Sequence, residues 1–180
     1  MKYRGFILAC LLAMASLSAR AQSQWMLVSS TLSYHMSHPI HELDGTSTEA
    51  RGKGTCLNSK CDFLIAAPVN SFKSGDSNRD LHMVQVVRGA ENPMVVVRAT
   101  FPDSQLVSGA IYADLQVQFA GQTAHYQHVP FQKTANGNQV RITGVIPSTC
   151  SDFKIDRPSF LTVPIKNEIP VRVDMTWKSQ

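Results

Sequence analysis

The sequence predicts an all-β domain: an antiparallel barrel or sandwich of about eight strands, with one short helix near residues 78–88. Three observations predict this fold class. Apolar and polar residues alternate with a period of two through most of the chain, which is typical of half-buried strands. Turn-forming pairs such as Asp44-Gly45, Ala120-Gly121 and Lys166-Asn167 separate the alternating runs at short intervals. A single stretch changes to helical spacing, and no βαβ pattern appears.

The first 21 residues predict an export signal that precedes the domain. Two basic residues begin it, residues 6–17 form an apolar run, and Ala19-Arg20-Ala21 places small residues where a signal peptidase reads them. Cleavage is expected before Gln22, which leaves residues 22–180 as one periplasmic or secreted domain. The apolar run is shorter than the about 20 residues of a spanning helix, so no membrane span is expected.

The net charge argues against nucleic acid as a partner. The whole chain carries 17 Lys and Arg against 13 Asp and Glu, a formal charge of +4. Three of those basic residues belong to the predicted signal, so the mature chain keeps 14 against 13, a net charge of +1. A binder of nucleic acid needs a basic surface, and this chain has no such excess.

The strands are predicted in order by alternation. In residues 26–36 the even positions, Met26 and Val28 among them, form one face. Further strands are expected at residues 63–65, 94–101, 114–119, 139–146 and 160–165. Residues 171–178 close the chain with a last clear alternation of Val, Met and Trp against polar residues.

Cys56 and Cys61 are expected to form a disulfide, because an exported protein meets an oxidising compartment. A turn centred on Asn58-Ser59 would place the two cysteines opposite each other on paired strands. Closing so short a loop removes little entropy from the unfolded chain, so the stabilisation should be modest. Cys150 is left over and is expected to be a buried thiol.

The helix is predicted from Ser77, taken as its N-cap, with Asp80 in the first turn. Leu81, Val84 and Val87 follow at helical spacing, and Gly89 can end the element. A single helix beside an otherwise closed sheet predicts a cap over the mouth of a barrel.

No catalytic or metal site is expected. His35, His38 and His41 recur every third residue, but a strand would turn His38 away from the other two. His125 and His128 also face opposite sides of a strand, so a metal would need both clusters to meet. The chain has no G-x-S-x-G elbow, no Gly-rich phosphate loop and no evident carboxylate pair.

Several motifs together resemble the YceI family of exported, lipocalin-like proteins, and the resemblance covers the mature chain. Residues 69–72 and then Ser77-Asn78-Arg79-Asp80-Leu81-His82-Met83 resemble the family's strand end and its Arg-Asp-x-His helix start. Asn92-Pro93-Met94 resembles the step into the next strand, and residues 168–173 resemble the closing strand. Two departures stand out: Val86-Val87 replaces a pair of aromatics, and Phe119-Ala120-Gly121 replaces a histidine-glycine hairpin.

The resemblance implies a lipocalin-like antiparallel barrel that encloses a long polyisoprenoid or similar lipid under its helix. The chain is then expected to be a periplasmic binding or carrier protein, not an enzyme, for an isoprenoid, an isoprenoid quinone or a fatty-acyl lipid, with no other cofactor. Arg79, Asp80 and His82 are expected to tie the helix start to the barrel. The sequence leaves open a homodimer.

The alternation supplies thirteen candidates for an apolar lining. These are Val28, Leu32, Tyr34, Phe63, Ile65, Val95, Val97, Leu115, Val117, Phe119, Val171, Val173 and Met175. The alternative is that the same side chains fill a solid core, in which case the domain would be a protein-interaction or stress-response module without a lipid. Composition does not distinguish a cavity from a packed core.

Overall fold

The computed structural model describes residues 23–38, 42–157, 159–160 and 163–180. The predicted signal peptide and His41 therefore lie outside the described residues. The strands within these ranges are β1 (Ser23–Ser37), β2 (Glu42–Ser47), β3 (Arg51–Leu57), β4 (Lys60–Pro68), β5 (Met94–Pro102), β6 (Ala110–Phe119), β7 (Gln122–Asn136), β8 (Gln139–Ile146), β9 (Ser159–Phe160), β10 (Val163–Pro164) and β11 (Val171–Ser179). The helix α1 spans Ser77–Val86, and short 3₁₀ turns occupy Val69–Ser71, Asp103–Val107 and Ser151–Phe153.

Nine of these strands form one antiparallel sheet that closes on itself. The strand order is β11-β8-β7-β6-β5-β4-β3-β1-β2, and β11 also pairs with β1. The start of β1, Ser23–Met26, pairs with β3, whereas its second half, Leu32–Ser37, pairs with β2. β2 and β3 thus share one position in the wall, and the closed sheet is an eight-position barrel. The predicted lipocalin-like barrel with one helix is confirmed.

The disulfide end of the barrel follows the predicted hairpin. Asn58 and Ser59 both have positive φ, 52° and 65°, as a tight two-residue hairpin turn requires. Cys56 pairs with Cys61 across the ladder, and the two form a disulfide. The sequence prediction of this pairing is confirmed.

The first strand departs from its predicted phase because it contains a bulge. The pairing of β1 with β11 shifts between Leu27 and Ser29, which inserts one extra residue and reverses the inward side. Trp25 and Leu27 therefore face the core before the bulge, and Leu32 faces it after. Val28 lies on the outer surface, 54% exposed. The prediction that Val28 lines the interior is wrong for this reason.

The helix begins one residue earlier than predicted. Asp76, not Ser77, is the N-cap, and its carboxylate accepts hydrogen bonds from the backbone N–H groups of Asn78 and Arg79. At the other end Arg88 adopts the left-handed conformation, with φ of 54°. The N–H of Gly89 then donates to the carbonyl of Val84 at 2.7 Å.

The predicted single strand at residues 160–165 is contradicted by its described residues, whereas residues 161 and 162 lie outside the described ranges. The chain forms two strands of two residues each, β9 and β10, which pair only with each other. The barrel offers no place for a longer strand here, because β8 and β11 already pair directly along eight residues. Residues 159–160 and 163–164 lie between β8 and β11 in the sequence but outside the barrel wall.

Aromatic rings lie flat against the wall at glycine positions. The ring of Phe63 covers Gly54, its partner on β3, so closely that a Cβ there would sit 2.4 Å from the ring. The ring of Tyr34 covers Gly45 in the same way, at 2.3 Å. Each glycine lets a large side chain lie along the sheet instead of across the lumen, which leaves space inside the barrel.

We expect Gly54→Ala to lower the free energy of unfolding by about 1–3 kcal/mol, because the new methyl group collides with the ring of Phe63. Gly109→Ala is the matched control, since no atom lies within 4 Å of the place that its new methyl group would take. Urea denaturation of both variants checks the prediction. Equal stability of the two would contradict it.

Candidate functional site

The barrel encloses an apolar cavity of about 650 Å³. It runs from a group of aromatic rings near the disulfide to the inner face of α1. Along β11 the lining extends from Val171 to Trp177, which is roughly 20 Å at about 3.3 Å per residue. The interior is therefore not a solid core, and the question that the sequence left open is decided in favour of a cavity.

Four rings line the end of the cavity that lies near the disulfide, and we call them the ring cluster: Trp25, Phe63, Phe101 and Trp177. Phe63 is its centre. The centroid of its ring lies 5.4 Å from that of Phe101 in a stacked arrangement and 4.9 Å from that of Trp177 edge-on. Trp25 completes the group at 6.4 Å from Phe63. Phe63, Phe101 and Trp177 are each at most 7% exposed, so this end is closed.

The opposite end is covered by α1. Arg79, His82, Met83 and Val86 line the cavity at the spacing of one helical face. No residue of α1 is itself buried, which shows that the helix covers the mouth without entering the core. Leu81, which the sequence grouped with Val84 and Val87 by helical spacing, is 60% exposed. A polar inner face is tolerated because the mouth borders solvent.

Polar side chains of the lining gather at this helix end. Besides Arg79 and His82 they include Tyr34, His38 and Ser148. His38 is buried and its Nε2 lies 3.0 Å from the carbonyl oxygen of Val163. Ser148 also has a hydrogen-bond partner within the protein, since its hydroxyl donates to the carbonyl of Ile169 at 2.8 Å. The cavity therefore has an apolar closed end and a polar mouth.

Tyr34 joins the apolar wall to the polar mouth. Its ring packs 5.9 Å from that of Phe72. Burial raises the pKa of its phenol, and the nearby carboxylates of Asp80 and Asp44 raise that pKa further, while Arg79 lowers it. The phenol thus stays protonated at neutral pH and keeps an O–H group to donate at the mouth.

A hydrogen-bond network fixes the start of α1. Asp80 accepts from the backbone N–H and the hydroxyl of Ser74 at 2.8 and 2.7 Å. These bonds lower the pKa of the Asp80 carboxyl. Arg79 donates to the carbonyl of Ser74 at 3.3 Å and lies 3.8 Å from the carboxylate of Asp76. Beyond the far end of the helix, Arg88 donates to the carbonyl of Ala120 at 2.9 Å, which attaches this flank to the turn between β6 and β7. The bonds of Arg79 and Asp80 stay within residues 74–80, and His82 makes no hydrogen bond to a described residue. The three side chains therefore do not make the expected tie between the helix start and the barrel.

The structure places eleven of the thirteen sequence candidates on the cavity wall. They are Leu32, Tyr34, Phe63, Ile65, Val95, Val97, Val117, Phe119, Val171, Val173 and Met175. Val28 points outward because of the bulge. Leu115 is buried, at 3% exposure, but packs within the wall and does not line the cavity.

Sequence reasoning missed three members of the ring cluster. Trp177 continues the alternation of Val173 and Met175, and that signal could have found it. Phe101 stands at the end of its strand, where alternation no longer shows the inward side. Trp25 was hidden by the bulge, which reverses the phase of β1.

The histidines that the structure describes lie in separate places, and His41 lies outside the described residues. His35 contacts the carboxylate of Asp44 at 2.9 Å, whereas His38 faces the cavity, and His128 lies 3.6 Å from the carboxylate of Asp114. Within the described ranges, no group of three His, Cys, Asp or Glu side chains is arranged to hold a metal ion.

Cys150 is a free, buried cysteine that lines the mouth of the cavity. Burial raises the pKa of its thiol, against a smaller lowering by Arg157. The thiol is therefore protonated at neutral pH and weakly nucleophilic.

In the part of the chain that the structure describes, no helix has both the length and the apolar character needed to cross a membrane.

Neither the models of known protein families nor the curated proteins include a match to this chain. Solved structures do match. BcnA from Burkholderia cenocepacia has a TM-score of 0.69 at 15% identity, over 82% of this chain and 95% of BcnA. A polyisoprenoid-binding domain from Saccharophagus degradans, implicated in plant cell wall breakdown, also has a TM-score of 0.69, at 12% identity, over 87% of this chain and 98% of that domain.

A YceI protein from Campylobacter jejuni has a TM-score of 0.54 at 11% identity, over 66% of this chain and 72% of that protein. At these identities the likeness is one of fold. It includes the closed antiparallel barrel and extends over most of each chain.

We expect Asp80→Ala to destabilise the protein at neutral pH, because it removes both hydrogen bonds from Ser74. The folded-state pKa of Asp80 is lowered, so this stabilisation is present above the ordinary carboxyl pKa and is lost as pH falls through the lowered value. The difference in unfolding free energy between wild type and variant should shrink below about pH 4. Urea titrations across this range measure it.

Asp103→Ala is the control, since the Asp103 side chain makes no hydrogen bond or ion pair with the described residues. A wild-type advantage over Asp80→Ala that persisted unchanged in acid would show that the carboxylate is not the source of the effect.

Proposed function

We propose that this chain, which has the fold of the YceI proteins, is an exported carrier of a long apolar ligand. The ligand is an isoprenoid, an isoprenoid quinone or a fatty-acyl lipid, held inside the barrel. The periplasm, or the medium outside the cell, is the proposed location. Binding and not catalysis is the proposed activity.

The cavity carries the proposal. Its volume of about 650 Å³ lies within the about 300–1,000 Å³ of small-molecule sites. Its wall is built almost entirely from aliphatic and aromatic side chains. Burial of apolar surface contributes about 25 cal/mol per Å², so a hydrocarbon chain would bind here with few hydrogen bonds. The Saccharophagus degradans domain of the same fold is described as polyisoprenoid-binding, which supports this ligand class.

The polarity of the lining supports one orientation of the ligand. The tail would lie against the ring cluster, and a polar head group would lie under α1. Tyr34 and His82 are available to it there, because neither makes a hydrogen bond to another described side chain or backbone group. Arg79 is partly neutralised by Asp76, so a neutral head group with hydrogen-bond acceptors fits this mouth better than a strongly anionic one.

The proposed location rests on two features. The Cys56–Cys61 disulfide is of a kind that forms in oxidising compartments. The sequence of residues 1–21 has the pattern of a signal peptide. N-terminal sequencing of the exported protein should begin at Gln22, and an intact N-terminus would contradict this part of the proposal.

Organic extraction of protein purified from its own host, followed by mass spectrometry, should release a lipid with a long apolar chain. Val117→Asn should reduce the amount recovered, since it places an unpaired amide on the wall at a cost of about 1–3 kcal/mol. Gln118→Asn, an exposed position next along β6, is the control and should leave the recovery unchanged. Circular dichroism verifies that both variants fold.

An empty extract, together with no thermal stabilisation by added quinones or fatty-acyl lipids, would overturn the proposal. It would favour the alternative of a protein-interaction or stress-response module.

We expect Tyr34→Phe to weaken binding of a long-chain alcohol about two- to tenfold, the value of one hydrogen bond, and to leave binding of an alkane unchanged. Tyr112→Phe is the control, because Tyr112 is 52% exposed on the outside of the barrel. Displacement of a fluorescent apolar probe measures both. Equal losses for alcohol and alkane would place the head group elsewhere.

A further inference from the structure

We propose that the ring cluster is a fixed stop that sets the longest apolar chain the barrel can bury. The inference rests on the proposed function, because it concerns the length of the ligand's tail. It assigns the specificity for length to Phe63, Phe101, Trp177 and Trp25 together.

Two of the four residues lie near the starts of their strands and two near the ends of theirs. Phe63 is in the first half of β4, Phe101 is the second-last residue of β5, Trp177 is the third-last of β11, and Trp25 is the third of β1. Because the strands are antiparallel, these ends meet on one side of the barrel. Phe63 contacts the other three rings, so together they form a floor across the lumen.

The rings of the ring cluster have no space to move into when a ligand chain contacts them. Phe63 already lies against Gly54, at a distance where even a methyl group would not fit. The same holds for Trp177 at Gly52, where a Cβ would lie 2.6 Å from the indole. Behind the floor, Cys61 has no exposed surface and is bonded to Cys56. The rings are thus held between the lumen and a cross-linked hairpin.

The helix end of the cavity is less tightly packed and borders solvent. The helix α1 has no buried residue, and Arg79 and His82 are exposed at the mouth. A tail that is too long for the cavity therefore leaves its surplus carbons at the mouth, in contact with water. Each buried methylene raises affinity about fourfold, the equivalent of about 0.8 kcal/mol. The gain should end at the chain length that reaches the floor.

The experiment measures dissociation constants for a series of straight-chain primary alcohols of increasing length, by displacement of a fluorescent apolar probe from the full mature protein. For the wild type, affinity should rise about three- to fourfold per methylene and then level off at one length. That length is the break point of the series.

Trp177→Leu and Phe101→Leu shorten the floor and should move the break point to longer alcohols. The shift should be smaller than the removed atoms alone would give, since the surroundings partly collapse into vacated space. Phe119→Leu is the matched control, because Phe119 lines the same cavity at the helix end, edge-on to Phe153 at 5.3 Å. It should lower affinity across the series without moving the break point. Two floor variants are used so that a folding defect in one does not decide the result.

A common break point for wild type, both floor variants and Phe119→Leu would overturn the inference while leaving the carrier function standing. A break point moved only by Phe119→Leu would also overturn it and would place the length limit at the mouth. Failure of every alcohol to bind the wild type would overturn both the inference and the proposed function.

Discussion

The pairing of the last strand with the first is the constraint on which the rest of the molecule depends. β11 hydrogen-bonds to β8 on one side and to β1 on the other, so the sheet has no open seam along its full-length strands. Closure turns one face of every strand toward a common lumen. The bulge in β1 lies in this pairing with β11, between the part of β1 that pairs with β3 and the part that pairs with β2.

Closure alone does not produce a cavity, since eight-stranded barrels are small enough for side chains to fill. In this barrel, glycines on the inner face determine that the interior is left open instead of filled. Where a strand presents glycine on its inner face, the aromatic ring of the neighbouring strand lies flat on the backbone, as Phe131 does at Gly144 and Tyr34 at Gly45. Large residues thus thicken the wall and leave the centre open. The same packing that provides buried apolar surface for stability also provides the apolar space.

The two ends of that space differ in rigidity and polarity. The disulfide end is aromatic and cross-linked, whereas the helix end is polar and is held to the barrel by the hydrogen bond from Arg88 to Ala120. Such an asymmetry suits a molecule with one oily and one polar end. In the proposed carrier it also separates two tasks, because the closed end would limit the length of the ligand and the mouth would give the ligand access.

Local sequence was enough to specify most of the strands, the tight turns at Asn58-Ser59 and Ala120-Gly121, the cystine and the presence of one helix, because each depends on short-range alternation or on the φ preferences of a few residues. The predicted turn at Asp44-Gly45 is wrong, since both residues lie within β2 and pair with His35 and Tyr34. It also placed most of the wall, from Leu32 to Met175, on the correct face. Long-range packing settled what local patterns do not encode: the bulge that turned Val28 outward, the face of α1 that meets the cavity and leaves Leu81 exposed, and the ring cluster. Above all it settled that the interior is hollow. That outcome depends on where rings and glycines meet across strands far apart in the chain, and no short window of residues contains that information.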